Sequence, residues 1–329
     1  KEYRRQRQMC IRDSMNAEHF AQVEPELQSS SDGLIERFVS SWYDRATVRR
    51  SGKLIEALDA DAPDFLEALL PFRDDPAFKA SSAETRAICL SAGWIIYNAK
   101  TIAIETEVIV PACLDLLKSS MSRPLSFPVV SAVAETVTDE GFHTLVASEL
   151  CDMTSSFRGI QLQLPDFELT RHLNVHKEKL ESKHFSLVRL AYATVSEVFI
   201  SDYLSLLSSA KTIQPLFRSA VALHKADEVC HKRLFPMLVH AVINDCCQEQ
   251  RQLFINSVYE AVNAFSSRET RIWSDALAQI YAGREDCKGL DPPVCTELSG
   301  GADFAGVAEL LADLKLIDQS CADRFCEKA

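Results

Sequence analysis

Two stretches of the chain read Asp-Glu-x-x-His: Asp139-Glu140-Gly141-Phe142-His143 and Asp227-Glu228-Val229-Cys230-His231. Glutamate and histidine three residues apart project from one face of a helix, about one turn apart. Each pair follows a glutamate set in an apolar run, Glu105 in Thr-Ile-Ala-Ile-Glu-Thr-Glu-Val-Ile-Val and Glu197 in Ala-Thr-Val-Ser-Glu-Val-Phe-Ile. The separations are alike, 35 residues from Glu105 to Glu140 and 31 from Glu197 to Glu228. Four carboxylates and two imidazoles can hold two divalent ions near electroneutrality, with two carboxylates free to bridge. Oxygen and nitrogen donors with open positions suit iron or manganese and bring O2 chemistry within reach. Four glutamates at core positions would be costly without a cation.

Three further features bear on this constellation. Asp139 and Asp227 point to the neighbouring sector, where each can accept the free ring N–H of a histidine from the other pair and fix its tautomer. His224, four residues before Glu228 and seven before His231, lies on nearly the same helical face and offers a seventh donor. Glu107 competes with Glu105, since both sit among Ile and Val, and Glu135 competes with Glu140 but lacks the following histidine. His172, His176, His184 and His240 fall outside the constellation and read as surface or locally satisfied histidines.

The elements that must carry these residues are helical. Apolar residues recur at three- and four-residue spacings over 33–49 and 51–72, with breaks at Pro63 and Pro71. A long helix opens near Ser81, where Ser-Ser-Ala-Glu supplies a capping pattern, and runs to about Ser120 with a kink expected at Pro111. A second runs from about Pro128 to Phe157, and a loop follows over 158–175. A third spans about 177–209 and a fourth about 213–244, with Pro215 in its first turn. Shorter helices fit 247–266, 269–282 and 302–317, with a Gly-, Pro- and Cys-containing loop at 284–301. Strand signals are nearly absent. Four helices of about thirty residues, against a globular mean of ~11–12, give an all-α, ferritin-like four-helix bundle with additional flanking helices.

Composition bounds the alternatives. The 329 residues carry 47 acids against 35 bases, a net charge of −12, which argues against nucleic acid as a partner. Charges interrupt every long apolar run, so no membrane span is expected. Neither GxGxxG nor GxxxxGK[ST] occurs, which removes the common nucleotide-binding turns. Eleven cysteines without an export signal point to a reducing cytoplasm; Cys89, Cys113, Cys151 and Cys230 read as small core hydrophobes, while a zinc site among Cys287, Cys295, Cys321 and Cys326 in the tail departs from the usual paired spacing. Residues 1–14 are basic and aperiodic, precede Met15, and read as a leader outside the fold. Residues 15–329 then form a single domain, with the metal-binding bundle at about 81–245 and a C-terminal helical tail at 284–329.

The chain resembles the p-aminobenzoate N-oxygenase family. The matching segments are Gly-Trp-Ile-Ile-Tyr-Asn (93–98) leading to Glu105, Asp-Glu-Gly-Phe-His-Thr (139–144), Ser-Glu-Val-Phe-Ile (196–200), Thr-Ile-Gln-Pro (212–215) and His-Lys-Ala-Asp-Glu-Val-Cys-His (224–231). The resemblance spans roughly residues 35–265 and fades beyond about 284. It implies two iron ions held by Glu105, Glu140, His143, Glu197, His224, Glu228 and His231. It further implies O2 as co-substrate, an external electron donor, and oxidation of an amine to a hydroxylamine, nitroso or nitro product in specialised metabolism. His-x-x-x-Glu-x-x-His is similar to that family's extra histidine ligand. A homodimer is expected. The competing reading is another ferritin-like dimetal oxidase, such as a hydroxylase, desaturase or radical-generating subunit. Trp94, Tyr97, Phe199 and Arg218 lie on ligand-bearing helices and are candidates for the substrate pocket, though each also reads as core packing or surface charge. An arginine in that pocket would point to a carboxylate-bearing substrate.

Overall fold

The computed structural model describes residues 29–50, 57–118, 124–287, 291–295, 311–312 and 316. Among these there is no strand. The helices are α1 (Ser29–Arg45), α2 (Thr47–Arg50), α3 (Pro76–Ala80), α4 (Ala83–Ile104), α5 (Val110–Leu117), α6 (Phe127–Arg158), α7 (Glu168–Lys179), α8 (Ser182–Ser209), α9 (Pro215–Ile243), α10 (Gln248–Phe265) and α11 (Thr270–Ala282). Short 3-10 turns occur at Glu67–Leu69 and Glu285–Cys287. The all-α, ferritin-like reading holds. α4 with α5 packs on α6, α8 packs on α9, and α10 and α11 lie outside that four-helix core. Helix ends follow local chemistry. The Ser82 hydroxyl accepts from Thr85 N at the start of α4. Proline stands in the first turn of α6 and of α9. α6 stops at Gly159, whose φ of 65° is left-handed and free of the usual Cβ penalty.

Four expectations change. First, the irregularity expected at Pro111 begins upstream of it. A π-turn, Glu105–Ile109, joins α4 to α5, and Val110 N bonds back to Glu105 O. Pro111 has no N–H to continue the ordinary ladder, and the widened turn absorbs that loss. The Thr106 hydroxyl donates to Ile102 O at 2.6 Å beside it. Second, the expected helix at 177–209 begins only at Ser182, and the loop expected at 158–175 contains the start of α7. α7 is mostly polar, with only Leu169, Thr170 and Leu173 buried, so its apolar signal was weak. Third, 57–66 is not helical; the part of that expectation at 51–56 lies outside the described residues. The carbonyls of Asp59, Ala60 and Ala62 accept from Arg158, and that of Pro63 accepts from the Gln214 backbone N–H. Side-chain and loop partners thus replace the helical ladder. Fourth, Ala83–Leu117 and Ser182–Ser209 are long and apolar enough, by length and composition, to cross a membrane. More than half of each apolar window is buried inside the bundle, as in core helices. The leader expected at 1–14 and most of the helix expected at 302–317 lie outside the described residues.

Candidate metal centre and substrate cavity

The π-turn presents Glu105, α6 presents Glu140 and His143, α8 presents Glu197, and α9 presents His224, Glu228 and His231. The side chains meet at the centre of the bundle, six buried and His224 about one-tenth exposed. They form two groups, Glu105–His143–His224 and Glu140–Glu197–Glu228–His231. Within each, the donor atoms lie within 4.8 Å of one another. Glu140 faces both groups: Oε2 is 2.9 Å from His143 Nδ1 and Oε1 is 2.8 Å from His231 Nδ1. Glu228 Oε1 lies 3.1 Å from His224 Nε2, 3.4 Å from His231 Nδ1 and 3.5 Å from His143 Nδ1. Glu105 approaches only His224, at 3.7 Å, and Glu197 only His231, at 3.8 Å, among the histidines. Of the competing glutamates, Glu107 is exposed and Glu135 half-buried beside Cys230 and His231. His172 and His176 face Glu168 and Glu260, and His240 faces Asn244, all away from this centre.

The two aspartates close a crossed arrangement. His143 Nε2 is 3.3 Å from Asp227 Oδ2, and His231 Nε2 is 3.3 Å from Asp139 Oδ2. With the ring proton on Nε2 donated to the aspartate, the Nδ1 lone pair is left for the centre. α1 and α2 hold the carboxylates in turn. Trp42 Nε1 donates to both oxygens of Asp139 at 3.0 Å. Thr47 donates to Asp227 from its backbone N–H, at 3.2 Å, and from its hydroxyl. Sequence reading missed Trp42 and Thr47, because nothing in their local pattern links a helix outside the bundle to Asp139 and Asp227.

The donor set fits a pair of cations. Glu105 Oε2, Glu140 Oε1, Glu228 Oε2, both oxygens of Glu197, and His231 Nδ1 are buried without a hydrogen bond of acceptable geometry. Such atoms are normally paired, and here they belong to the two donor groups. The electrostatics agree. Burial, then the neighbouring glutamates, pushes Glu105 and Glu197 well above the usual carboxylate range. Burial acts the same way on Glu140 and Glu228, but His231 with His143, and His231 with His224, outweigh it and hold these two carboxyls low. Burial opposes charge on His143, yet Glu140 and Asp227 raise it to about 10; His231 is likewise raised, chiefly by Glu140 and Glu228. Burial and the His143 ring, 4.1 Å away, lower His224. Proton affinity is thus raised on Glu105, Glu197, His143 and His231 and lowered on Glu140 and Glu228. Two divalent ions would replace protons held there.

A cavity of about 440 Å³ adjoins the cluster, with Glu105 and Glu228 in its wall. Tyr97 and Phe199 line it. Trp94 does not: it stacks on Phe217 at 4.1 Å and faces a separate, water-sized pocket of about 20 Å³ beside His143 and His224. Arg218 lines none of the described pockets; its backbone bonds to Gln214 in the first turn of α9. The cavity also contains charges that sequence reading did not find. Lys100 Nζ lies 2.9 Å from Glu269 Oε1 and donates to Phe265 O at 3.2 Å. Arg268 joins them in the wall. Lys100 stands three residues after Tyr97 on α4, a lone cation in an apolar run, and that was the available signal.

A helical bundle with four glutamates and three histidines at its centre belongs to the ferritin-like class of carboxylate–imidazole metalloproteins. The p-aminobenzoate N-oxygenase AurF family matches residues 29–314. The chain is also similar to 4-aminobenzoate N-oxygenase of Streptomyces thioluteus, 26% identical over 294 residues that cover 86% of each protein. The chain belongs to the p-aminobenzoate N-oxygenase family, whose members are diiron oxygenases acting on an amine nitrogen.

Proposed function

We propose that the chain is a non-haem diiron N-oxygenase that uses O2 to oxidise a substrate amine to a hydroxylamine, nitroso or nitro product. The observation that carries this reading is the convergence of the two donor groups, with orphaned carboxylate oxygens, on one wall of a substrate-sized cavity. Glu105, His143 and His224 would hold one iron, and Glu197 and His231 the other. Glu140 and Glu228, which face both groups, would help to hold both irons. Bound there, the two irons supply O2 activation and store the electrons that an external donor provides.

The chain's own residues do the rest. Asp139 and Asp227 hold the protons on the outer nitrogens of His231 and His143, so the inner nitrogens are free to ligate. Tyr97 and Tyr203, stacked at 5.5 Å, and Phe199 give the amine an apolar wall and limit water beside Glu105. Arg268 on that wall supports a carboxylate on the substrate, as the name of the Streptomyces relative describes. In the first oxidation one oxygen atom enters an N–H bond. The other leaves as water, with two protons and two electrons from the donor.

The test loads the protein with iron(II) without oxygen, measures bound iron, then adds O2, a reductant and p-aminobenzoate. Mass spectrometry should find hydroxylamino, nitroso or nitro product. Two irons per chain with no nitrogen oxidation across a panel of amines would overturn the assignment in favour of another dimetal oxidase.

A further inference from the structure

The cavity runs along α4. Glu105 stands at its metal end, and Gly93 is in its wall twelve residues earlier, about 18 Å back along the helix at 1.5 Å per residue. Phe65 occupies that remote end. It comes from the segment before the Glu67–Leu69 turn, outside the bundle, and is buried. A Cβ added to Gly93 would stand 2.6 Å from Phe65 Cδ1, 3.1 Å from Cγ and 3.2 Å from Cε1. The ring therefore packs against bare backbone, and the contact reaches Cγ at its root as well as its flank.

The segment that carries Phe65 is not free to yield. The adjacent Asp64 is buried and accepts from Ser91 Oγ at 2.6 Å, from Arg158 Nε at 2.8 Å and Nη2 at 2.9 Å, and from Gln214 Nε2 at 3.0 Å. Gln214 N also donates to Pro63 O at 2.9 Å. Residues on α4, on α6 and just before α9 thus fix the backbone immediately before Phe65. A ring displaced by a larger residue at position 93 borders the cavity and can move into it.

We propose that the Phe65 ring, seated on Gly93, is a specificity-determining stop that sets how long an amine the cavity accepts, an inference that rests on the cavity being the amine site. Phe65→Ala lengthens the cavity at the end remote from Glu105. Gly93→Ala shortens it, and does so only through the ring, so Gly93→Ala in a Phe65→Ala background has no further effect on length.

The test measures binding by equilibrium dialysis to the iron-loaded enzyme kept free of oxygen. The probes are p-aminobenzoate and its para-linked biphenyl and terphenyl homologues. Phe65→Ala should move the length at which affinity collapses upward, improving the first excluded homologue by roughly tenfold or more; Gly93→Ala should move it downward by a similar factor. The double variant should match Phe65→Ala. Phe65→Leu, milder for folding, should shift in the same direction by less, and circular dichroism melts confirm that each variant is folded. Folded variants with the wild-type length profile, or a Gly93→Ala effect that survives loss of the ring, would overturn the proposal. Binding that follows the expected lengths without oxidation on adding O2 would remove the N-oxygenase reading and leave the stop in place. A wild-type enzyme that binds none of the ladder would overturn both.

Discussion

Asp139→Asn is the perturbation that best separates a metal site from a mere polar core. Asp139 is fully buried, receives Trp42 Nε1 on both oxygens at 3.0 Å, and meets His231 Nε2 at 3.3 Å. The amide keeps the shape but has one acceptor. If its oxygen serves His231, its NH2 faces the Trp42 N–H, donor against donor. If it turns to serve Trp42, the His231 proton loses its acceptor and the Nδ1 lone pair is no longer assured. In both cases the negative charge behind the imidazole is gone. Losses of this kind cost about 10–100-fold in metal affinity, or roughly 1.4–2.7 kcal/mol. Trp42→Phe leaves Asp139 free to serve His231, so metal affinity should fall by less than tenfold. Its larger effect should be on unfolding, roughly 1.5–3 kcal/mol for a hydrogen bond to a charged group. Asp227→Asn should cost at least as much as Asp139→Asn, since Thr47 donates twice to that carboxylate and Arg45 lies 3.9 Å away. Anaerobic competition for iron(II) against a chelator of known affinity measures the first quantity, and urea unfolding the second. Asp139→Asn and Asp227→Asn proteins that are folded and bind iron within twofold of wild type would refute the orienting role.

Further outcomes are expected. Iron loading should give about two ions per chain. Glu140→Ala and Glu228→Ala, which remove groups facing both histidine sets, should lose most of the metal, whereas Glu105→Ala should retain more; elemental analysis decides. Stripping the metal with a chelator should lower the melting temperature, because metal binding to the folded site no longer favours the folded state. His224→Ala should keep both ions, since six donors remain, but weaken N-oxygenation by roughly 10–100-fold; unchanged turnover would make His224 a core histidine only. Burial pushes the Cys89 and Cys151 thiols up to about 12, whereas Cys247 is exposed. A thiol with that value is roughly one part in 10,000 thiolate at pH 8. Brief alkylation at that pH followed by peptide mapping should label Cys247 and spare the other two.

The donor constellation was legible because a three-residue spacing on a helix maps onto space without knowledge of the fold. The same spacing, repeated behind two core glutamates, needed only the bundle to close it. Periodicity could not choose between Glu105 and Glu107, since the deciding feature is a π-turn that follows from Pro111 and tertiary packing together. Nor could it say which carboxylates face both groups, which depends on the rotation of α6 and α9 about their axes. The cavity wall was legible only on the ligand-bearing helices. Phe65, Arg268 and Glu269 come from segments whose own patterns say nothing about their neighbours, and the core packing of Trp94 depends on Phe217 from another helix. The segment at 57–66 has a helical pattern, yet Arg158 and Gln214 offer its carbonyls better partners than its own backbone does.

The π-turn between α4 and α5 makes chain length, not residue identity, the sensitive variable at this point. It holds one more residue than an α-turn, so the faces of α4 and α5 are keyed to their neighbours through a fixed phase offset. Upstream, that offset aims Gly93, Tyr97 and Glu105 at the cavity; downstream, it buries Ala112, Cys113 and Leu116 against the core. Substitutions at Thr106 or Glu107, both exposed, preserve the phase. Removing either residue would restore an unbroken α-helix and rotate one half against the other by about 100°. Every side chain would still be present, and the helix content would hardly change. Yet Glu105 would no longer point where Glu140 and Glu228 wait for it. At Thr106 and Glu107, insertions and deletions are the mutations that matter, and a comparison by composition or helicity would not register them.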